Sequence, residues 1–246
     1  MILLYHHVAP PGRVPSGGAD GWQFTHSLEA FEFQLRELRR RGYSFVPLGQ
    51  LVGEIRSTGK EPDSSVAITL DDGWADNYTC AFPVLKKLGI PATFFVISEH
   101  LRRRATDPKR MGLEQLKHLV QEGLSIGTHT RTHPDLTRIG SEAAREEIAG
   151  CKADVEQALG VPVDFFAYPG GAFNRRVAEL VQEAGYKAAC SILGPGTNDA
   201  GSLFWLFRDV LSPGLNTLGD YYRLSPIARK LLAFRVKRKL REKLKH

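Results

Sequence analysis

An order of elements recurs along this chain: an amphipathic stretch, a glycine, then a short apolar run. Leu28, Phe31, Leu35 and Leu38 fall at helical spacing after Ser27, a good N-cap, and Gly42 follows as a stop. Residues 81–88 end at Gly89, 113–120 run on to Gly123, 141–159 end at Gly160, and 175–184 end at Gly185. The apolar runs are 2–5, 45–48, 66–70, 92–97, 125–128, 165–168, 188–192 and 204–211, all rich in Val, Ile, Phe and Tyr. A helix between successive strands makes the strands parallel, because a parallel neighbour is reached only by a crossover. Seven or eight such repeats in 246 residues predict one α/β domain, an irregular (β/α)7-8 barrel, rather than an open sheet.

Charge divides the chain unevenly. The net charge is +6, yet residues 225–246 hold 9 Lys/Arg and 1 acid. Subtracting these from the 33 basic and 27 acidic residues leaves 24 and 26, a body close to neutral. A body of that balance argues against nucleic acid as a partner. The division is therefore a globular domain over 1–224 and a basic tail over 225–246. Ile227, Leu231, Phe234, Leu240 and Leu244 give the tail an imperfect apolar stripe. Such a helix either rests peripherally on an anionic membrane or extends as a solvated or docked appendage.

Cys80, Cys151 and Cys190 lie far apart with no CxxC pair, so neither a disulfide framework nor a cysteine zinc site is expected. MILLYHHV lacks a basic leader region and its apolar run is short for a signal peptide. No stretch reaches the roughly 18 apolar residues of a spanning helix. The expected location is cytoplasmic, with membrane association through the tail as an extension of that reading.

In a parallel barrel, functional groups gather where strands end at their carboxyl side. His6 and His7 follow ILLY, Asp71-Asp72-Gly73 follow VAITL, and His129 and His133 follow SIGT. Pro169-Gly170-Gly171 follow FFAY, and Arg208 and Asp209 close the last run. His129 and His133 alone are an H-x3-H pair that surface histidines also produce. Joined to an aspartate from a neighbouring strand end, they form a two-imidazole, one-carboxylate set with open positions on a divalent ion. A cation there also offsets two adjacent carboxylates at the end of a buried strand. The loops 9–24, rich in Gly and Pro, and 102–110, rich in Arg, either rim this cleft or run plainly over the surface.

TLDDG, then HTRTH, then YPGG at 168–171, in that order and at those spacings, resembles the polysaccharide deacetylase domain (NodB homology, carbohydrate esterase family 4) across residues 1–212. The resemblance implies that Asp72, His129 and His133 hold a divalent metal, by default zinc, with nickel, cobalt or iron as alternatives. It implies that Asp71 is the general base toward a metal-bound water, and that the Gly170 amide after Pro169 helps hold the oxyanion. The product is a free amine on an N-acetylhexosamine of a glycan or glycolipid. Many members protonate that amine with a histidine late in the domain, whereas this chain has none between His133 and His246. Its front, YHH, resembles the permuted arrangement of poly-N-acetylglucosamine deacetylases, which makes His6 the expected acid. His7 is expected to point away by strand alternation.

Two positions depart from the family pattern. The third motif often reads R-x-P-Y-G, where this chain has Ala167-Tyr168-Pro169-Gly170-Gly171. The missing Arg leaves Asp71 without its usual partner. Arg208 is the candidate replacement, the alternative being a surface pair with Asp209. The missing aromatic removes a sugar-stacking wall, leaving Tyr168, Pro169, Trp74 and Trp205 as candidate substrate contacts or barrel core. Other readings are a deformylase or amidase acting on another N-acyl substrate, and a glycan-binding relic. The intact Asp71, Asp72, His129, His133 and His6 oppose the relic. A phosphoryl-transfer site would leave the histidine pair unexplained.

Overall fold

The computed structural model describes residues 1–10, 25–102, 108–194 and 196–210. Most of the Gly/Pro loop (11–24), residues 103–107 of the basic loop and the whole basic tail lie outside the described residues. In chain order the elements begin with β1 (Ile2–Tyr5), β2 (His7–Ala9), β3 (Thr25–Ser27), α1 (Leu28–Arg40), β4 (Ser44–Phe45) and α2 (Leu48–Thr58). Next come β5 (Ser65–Leu70), α3 (Phe82–Leu88), β6 (Ala92–Val96), α4 (Ser98–Arg102), α5 (Leu113–Gln121) and β7 (Ser125–Thr128). The last are α6 (Ser141–Arg145), α7 (Cys151–Leu159), β8 (Phe165–Ala167), α8 (Arg175–Glu183), β9 (Ala188–Ser191), β10 (Leu206–Phe207) and β11 (Asp209–Val210).

Every strand pair of the main sheet is parallel, in the order β10-β9-β8-β7-β6-β5-β1-β11. The two ends of that order are one piece of chain. Leu206 and Phe207 pair with Cys190 and Ser191 of β9, and Asp209 and Val210 pair with Leu3 and Leu4 of β1. Residues 206–210 thus close the sheet into a seven-stranded barrel. The single strand expected over 204–211 changes partner at Arg208, which places that side chain at the seam.

Alternation sorts the side chains. Val66, Ile68 and Leu70 of β5 join the outer core, beneath helices such as α1, α3, α5 and α8. Ala67, Phe95, Ala167, Cys190 and Leu206 face inward and pack with Leu48, Leu51, Val52 and Ile55 of α2. Helix α2 therefore plugs the amino-terminal mouth of the barrel. The strand expected over 45–48 is shorter than that: β4 stops at Phe45, Pro47 caps α2, and Leu48 begins it. The apolar spacing 48, 51, 52, 55 is helical, and it overrides the strand-like start.

The glycine stops hold where they were expected. Gly89 and Gly160 adopt φ of 61° and 69° at the ends of α3 and α7, a left-handed turn that costs a β-carbon-free residue little. The helix expected over 141–159 is interrupted at Glu146–Gly150 by a π-turn. Ser27 caps α1, its Oγ accepting from Ala30 N at 3.1 Å. Among the described residues, no helix is long and apolar enough to cross a membrane.

Candidate metal centre and its surround

The carboxyl end of β5 divides the two aspartates by backbone geometry. Asp71 continues the strand, its N–H donating to Tyr5 O at 3.0 Å, so its side chain turns inward like those of Ala67 and Thr69. Asp71 is 2% exposed. Asp72 takes φ of 72° and leaves the strand, which aims its carboxylate elsewhere.

Arg208 meets Asp71 from the barrel seam. Nη1 donates to Oδ1 at 2.7 Å and Nη2 to Oδ2 at 2.6 Å, a bidentate pair with both partners buried. Nη1 also lies 3.3 Å from Thr69 Oγ1. Burial alone pushes the Asp71 carboxyl up. The charges of Arg208 and then His129 outweigh it and bring the group to about 2. Asp71 is therefore ionised at any working pH.

The histidines come from the turn after β7. His129 is buried, with Nδ1 at 2.7 Å from Ala167 O. A carbonyl only accepts, so the proton sits on Nδ1 and the lone pair on Nε2. Burial holds this ring below an ordinary histidine, against the pull of Asp71 and Asp72. Nε2 of His129 and Nε2 of His133 each lie 3.6 Å from Asp72 Oδ1. The ligand atoms of Asp72, His129 and His133 all fall within 4.8 Å of one another. Two imidazole nitrogens and one carboxylate oxygen converging at that range suit a divalent transition ion.

Among the described residues, three non-glycines have positive φ: Asp72 (72°), Thr130 (65°) and His133 (65°). Left-handed backbone costs an L-residue roughly 1–2 kcal/mol. All three sit in this cluster, so the strain is concentrated where the ligand atoms converge.

A cavity of about 260 Å³ opens onto these groups, with His6, His7, Gly170 and Arg208 also in its wall. His6 is held low by burial, opposed by Asp71 and Asp72. His7 lines the same cavity rather than pointing away. Strand β1 ends at Tyr5 and His7 begins β2, so strict alternation stops at His6. The His7 Nδ1 lies 2.6 Å from Asp76 Oδ2.

The candidate sugar contacts separate. Trp74 Nε1 donates to Asp72 Oδ2 at 3.1 Å. Its ring is covered by His7, with centroids 4.1 Å apart, and by the Arg110 guanidinium at 3.3 Å from the ring centre. That leaves little of the Trp74 face for a sugar. Tyr168 is wholly buried in the cavity wall, with its hydroxyl donating to Phe204 O at 2.7 Å, so it is core rather than an open platform. Pro169 is buried beside it. Trp205 stacks on Phe173 and lines a separate cleft of about 540 Å³. Gly170 takes φ of 59° on the cavity rim, while the Gly171 and Ala172 amides are used by Tyr168 O and Pro169 O.

Sequence reasoning missed Asp76 and Arg110. Arg110 Nη1 donates to Asp72 O at 2.5 Å. Ala75 N bonds Lys109 O and Met111 N bonds Gly73 O, so residues 109–111 lie along the DDGW turn. The basic loop was a visible candidate for the rim. Nothing in its composition marked Arg110 among five basic residues.

Comparison with known proteins agrees with this geometry. The family model described as polysaccharide deacetylase matches residues 58–189. YxkH of Bacillus subtilis is 28% identical over 218 residues, covering 87% of this chain and 72% of that protein. The poly-beta-1,6-N-acetyl-D-glucosamine N-deacetylase of Staphylococcus aureus is 26% identical over 193 residues, 72% of this chain and 65% of that one. The Streptococcus pyogenes deacetylase PplD, solved with acetate, superposes with a TM-score of 0.76 at 26% identity, covering 87% of this chain and 92% of that chain.

Proposed function

This chain belongs to the polysaccharide deacetylase family, and from that premise we propose that it removes N-acetyl groups from N-acetylhexosamine residues of a glycan by metal-dependent hydrolysis. One observation carries the reading: the Asp72–His129–His133 ligand atoms lie within 4.8 Å of one another, beside an ionised, buried Asp71, in one cavity. Zinc is the cation the donor set suits first; nickel, cobalt and iron accept the same donors. When bound, the cation would polarise the acyl carbonyl and make water acidic enough to lose a proton near neutral pH.

The chain's own groups would supply the rest. Asp71 takes the proton of the attacking water at a carboxylate oxygen. With Arg208 holding both oxygens it is a weak base, so its contribution is position and being ionised before the water attacks. Gly170 N–H donates to the oxygen that gains charge as the carbonyl is attacked. His6 hands a proton to the departing amine. Burial lowers the basicity of this ring, and Asp71 and Asp72 offset that only in part. The glycan class rests on the family match, and the β-1,6-linked polymer named for the staphylococcal relative is the first to try.

The test is acetate release from poly-β-1,6-N-acetylglucosamine and from chito-oligosaccharides, by protein loaded with Zn²⁺ and by protein treated with a chelator. Release by the loaded protein alone supports the reading. Release that survives chelation, or none from either glycan, overturns it.

A further inference from the structure

His129 and His133 are separated by Thr130, Arg131 and Thr132, and groups outside this turn engage much of its polar backbone. Thr130 O accepts from Ser98 N at 3.2 Å and from Cys151 Sγ at 3.1 Å. Arg131 O accepts from Glu99 N at 3.0 Å. His133 N donates to Thr130 Oγ1 at 2.9 Å. Two further amides go to one side chain: Arg131 N and Thr132 N donate to Glu147 Oε2 at 2.8 and 2.9 Å. Thr132 Oγ1 donates to Glu147 Oε1 at 2.6 Å. One carboxylate from the π-turn between α6 and α7 thus takes three donors of the metal turn.

The Arg131 side chain makes a second tie in the same direction. Nε and Nη2 form a bidentate pair with Asp154 of α7 at 2.8 and 3.0 Å, and Asp154 also accepts from Ser98 Oγ. Its guanidinium lies against Gly150. A β-carbon there would sit 2.4 Å from Arg131 Cζ. Gly150 has ordinary helical backbone, φ −64° and ψ −39°, so no local conformation requires glycine. The space for Arg131 is what a side chain at 150 would remove.

Thr130 and His133 carry two of the three left-handed non-glycine conformations among the described residues. Such turns persist only where surroundings over-determine them. We propose that Glu147, Arg131 with Asp154, and the bare Gly150 form a clamp that holds this turn in its strained shape, and so presets the spacing of His129 and His133 for the cation. They are positioning residues, because none of them supplies a ligand atom. The inference rests on the metal reading above and adds to it the source of the site's preorganisation. Adjacent Glu146 is the internal contrast. It is mostly exposed and pairs only with the outer edge of the Arg131 guanidinium.

Zn²⁺ affinity, measured by competition with a chromophoric chelator, tests the clamp, with thermal unfolding of the metal-free protein measured beside it. Glu147→Ala should weaken Zn²⁺ binding by about 10- to 100-fold, the usual cost of losing a group that orients a ligand. Glu147→Gln keeps an acceptor for the two amides and should recover most of that loss. Gly150→Ala should also weaken binding even though alanine favours the helix. Its metal-free unfolding temperature should not fall, which separates the effect from general destabilisation. Glu146→Ala should bind like the wild type. Equal affinity in the wild type, Glu147→Ala and Gly150→Ala overturns the clamp while leaving the metal reading intact. A wild type that takes up no Zn²⁺ overturns both.

Discussion

The turns after β5 and after β7 face the same cation site and are held by opposite means. The DDGW turn buries its charge: Asp71 is almost fully enclosed and answered by an equally enclosed Arg208. The HTRTH turn keeps its supports near the surface, where Glu147, Arg131 and Asp154 bind backbone and one another with partial exposure. The first arrangement answers an electrostatic problem, because a lone carboxylate in the barrel interior would protonate. The second answers a conformational one, because two left-handed residues must be held against relaxation. Breaking the first should cost stability and chemistry together, whereas breaking the second should cost metal affinity with little loss of fold.

Asp71→Asn tests the buried side at its most extreme. Turnover should fall by roughly 10³-fold, within the span lost with a general base, while Zn²⁺ content stays near that of the wild type. Loss of the metal with Asp71→Asn, and its retention with Asp72→Asn, would show the two roles exchanged. Arg208→Met leaves Asp71 without its counter-charge. It should destabilise the protein by about 3–5 kcal/mol in denaturant unfolding. Adding Asp71→Asn to it should restore much of that stability and none of the activity. A small loss in Arg208→Met would mean that water, not Arg208, compensates Asp71.

His6→Ala should slow deacetylation by about 100-fold and leave Zn²⁺ affinity unchanged. Full activity in this variant would remove His6 from proton transfer. The smallest effect is on acid stability of the metal-free protein. His6 and His129 are held below the ordinary histidine value in the fold, so the unfolded chain takes up their protons first. Stability should therefore decline as pH falls through about 6.5. Asp71 adds stability that is complete above the ordinary carboxylate value and fades as pH drops toward about 2. In Arg208→Met that second decline should shrink or disappear, because a buried Asp71 without its counter-charge takes up its proton in the fold at least as readily as in the unfolded chain. An acid-unfolding curve unchanged by the substitution would contradict the pairing.

Much of the barrel was legible because helix and strand periods are local, and glycine stops are punctuation a reader can see. Helix α2 was hidden by Phe45-Val46, whose strand character runs straight into Pro47 and the helical spacing that begins at Leu48. The π-turn at Glu146–Gly150 was hidden too, since a single inserted residue leaves the apolar period of 141–159 nearly intact. At the site, four residues stood out as motifs: Asp71, Asp72, His129 and His133. His7 was misplaced because alternation was carried one residue past the end of β1. Trp74, Tyr168 and Trp205 looked alike as aromatics, and only burial and stacking told them apart.

The sequence by itself determined the parallel βα order and the donor types a cation needs, because both reside in short stretches of adjacent residues. The partner of Asp71 was decided by tertiary structure. Arg208 lies 137 residues further along the chain and reaches Asp71 only because residues 206–210 pair with β9 on one side and β1 on the other. Barrel closure brings that guanidinium into the interior, and low solvent access there makes the pairing bind strongly enough to keep Asp71 charged.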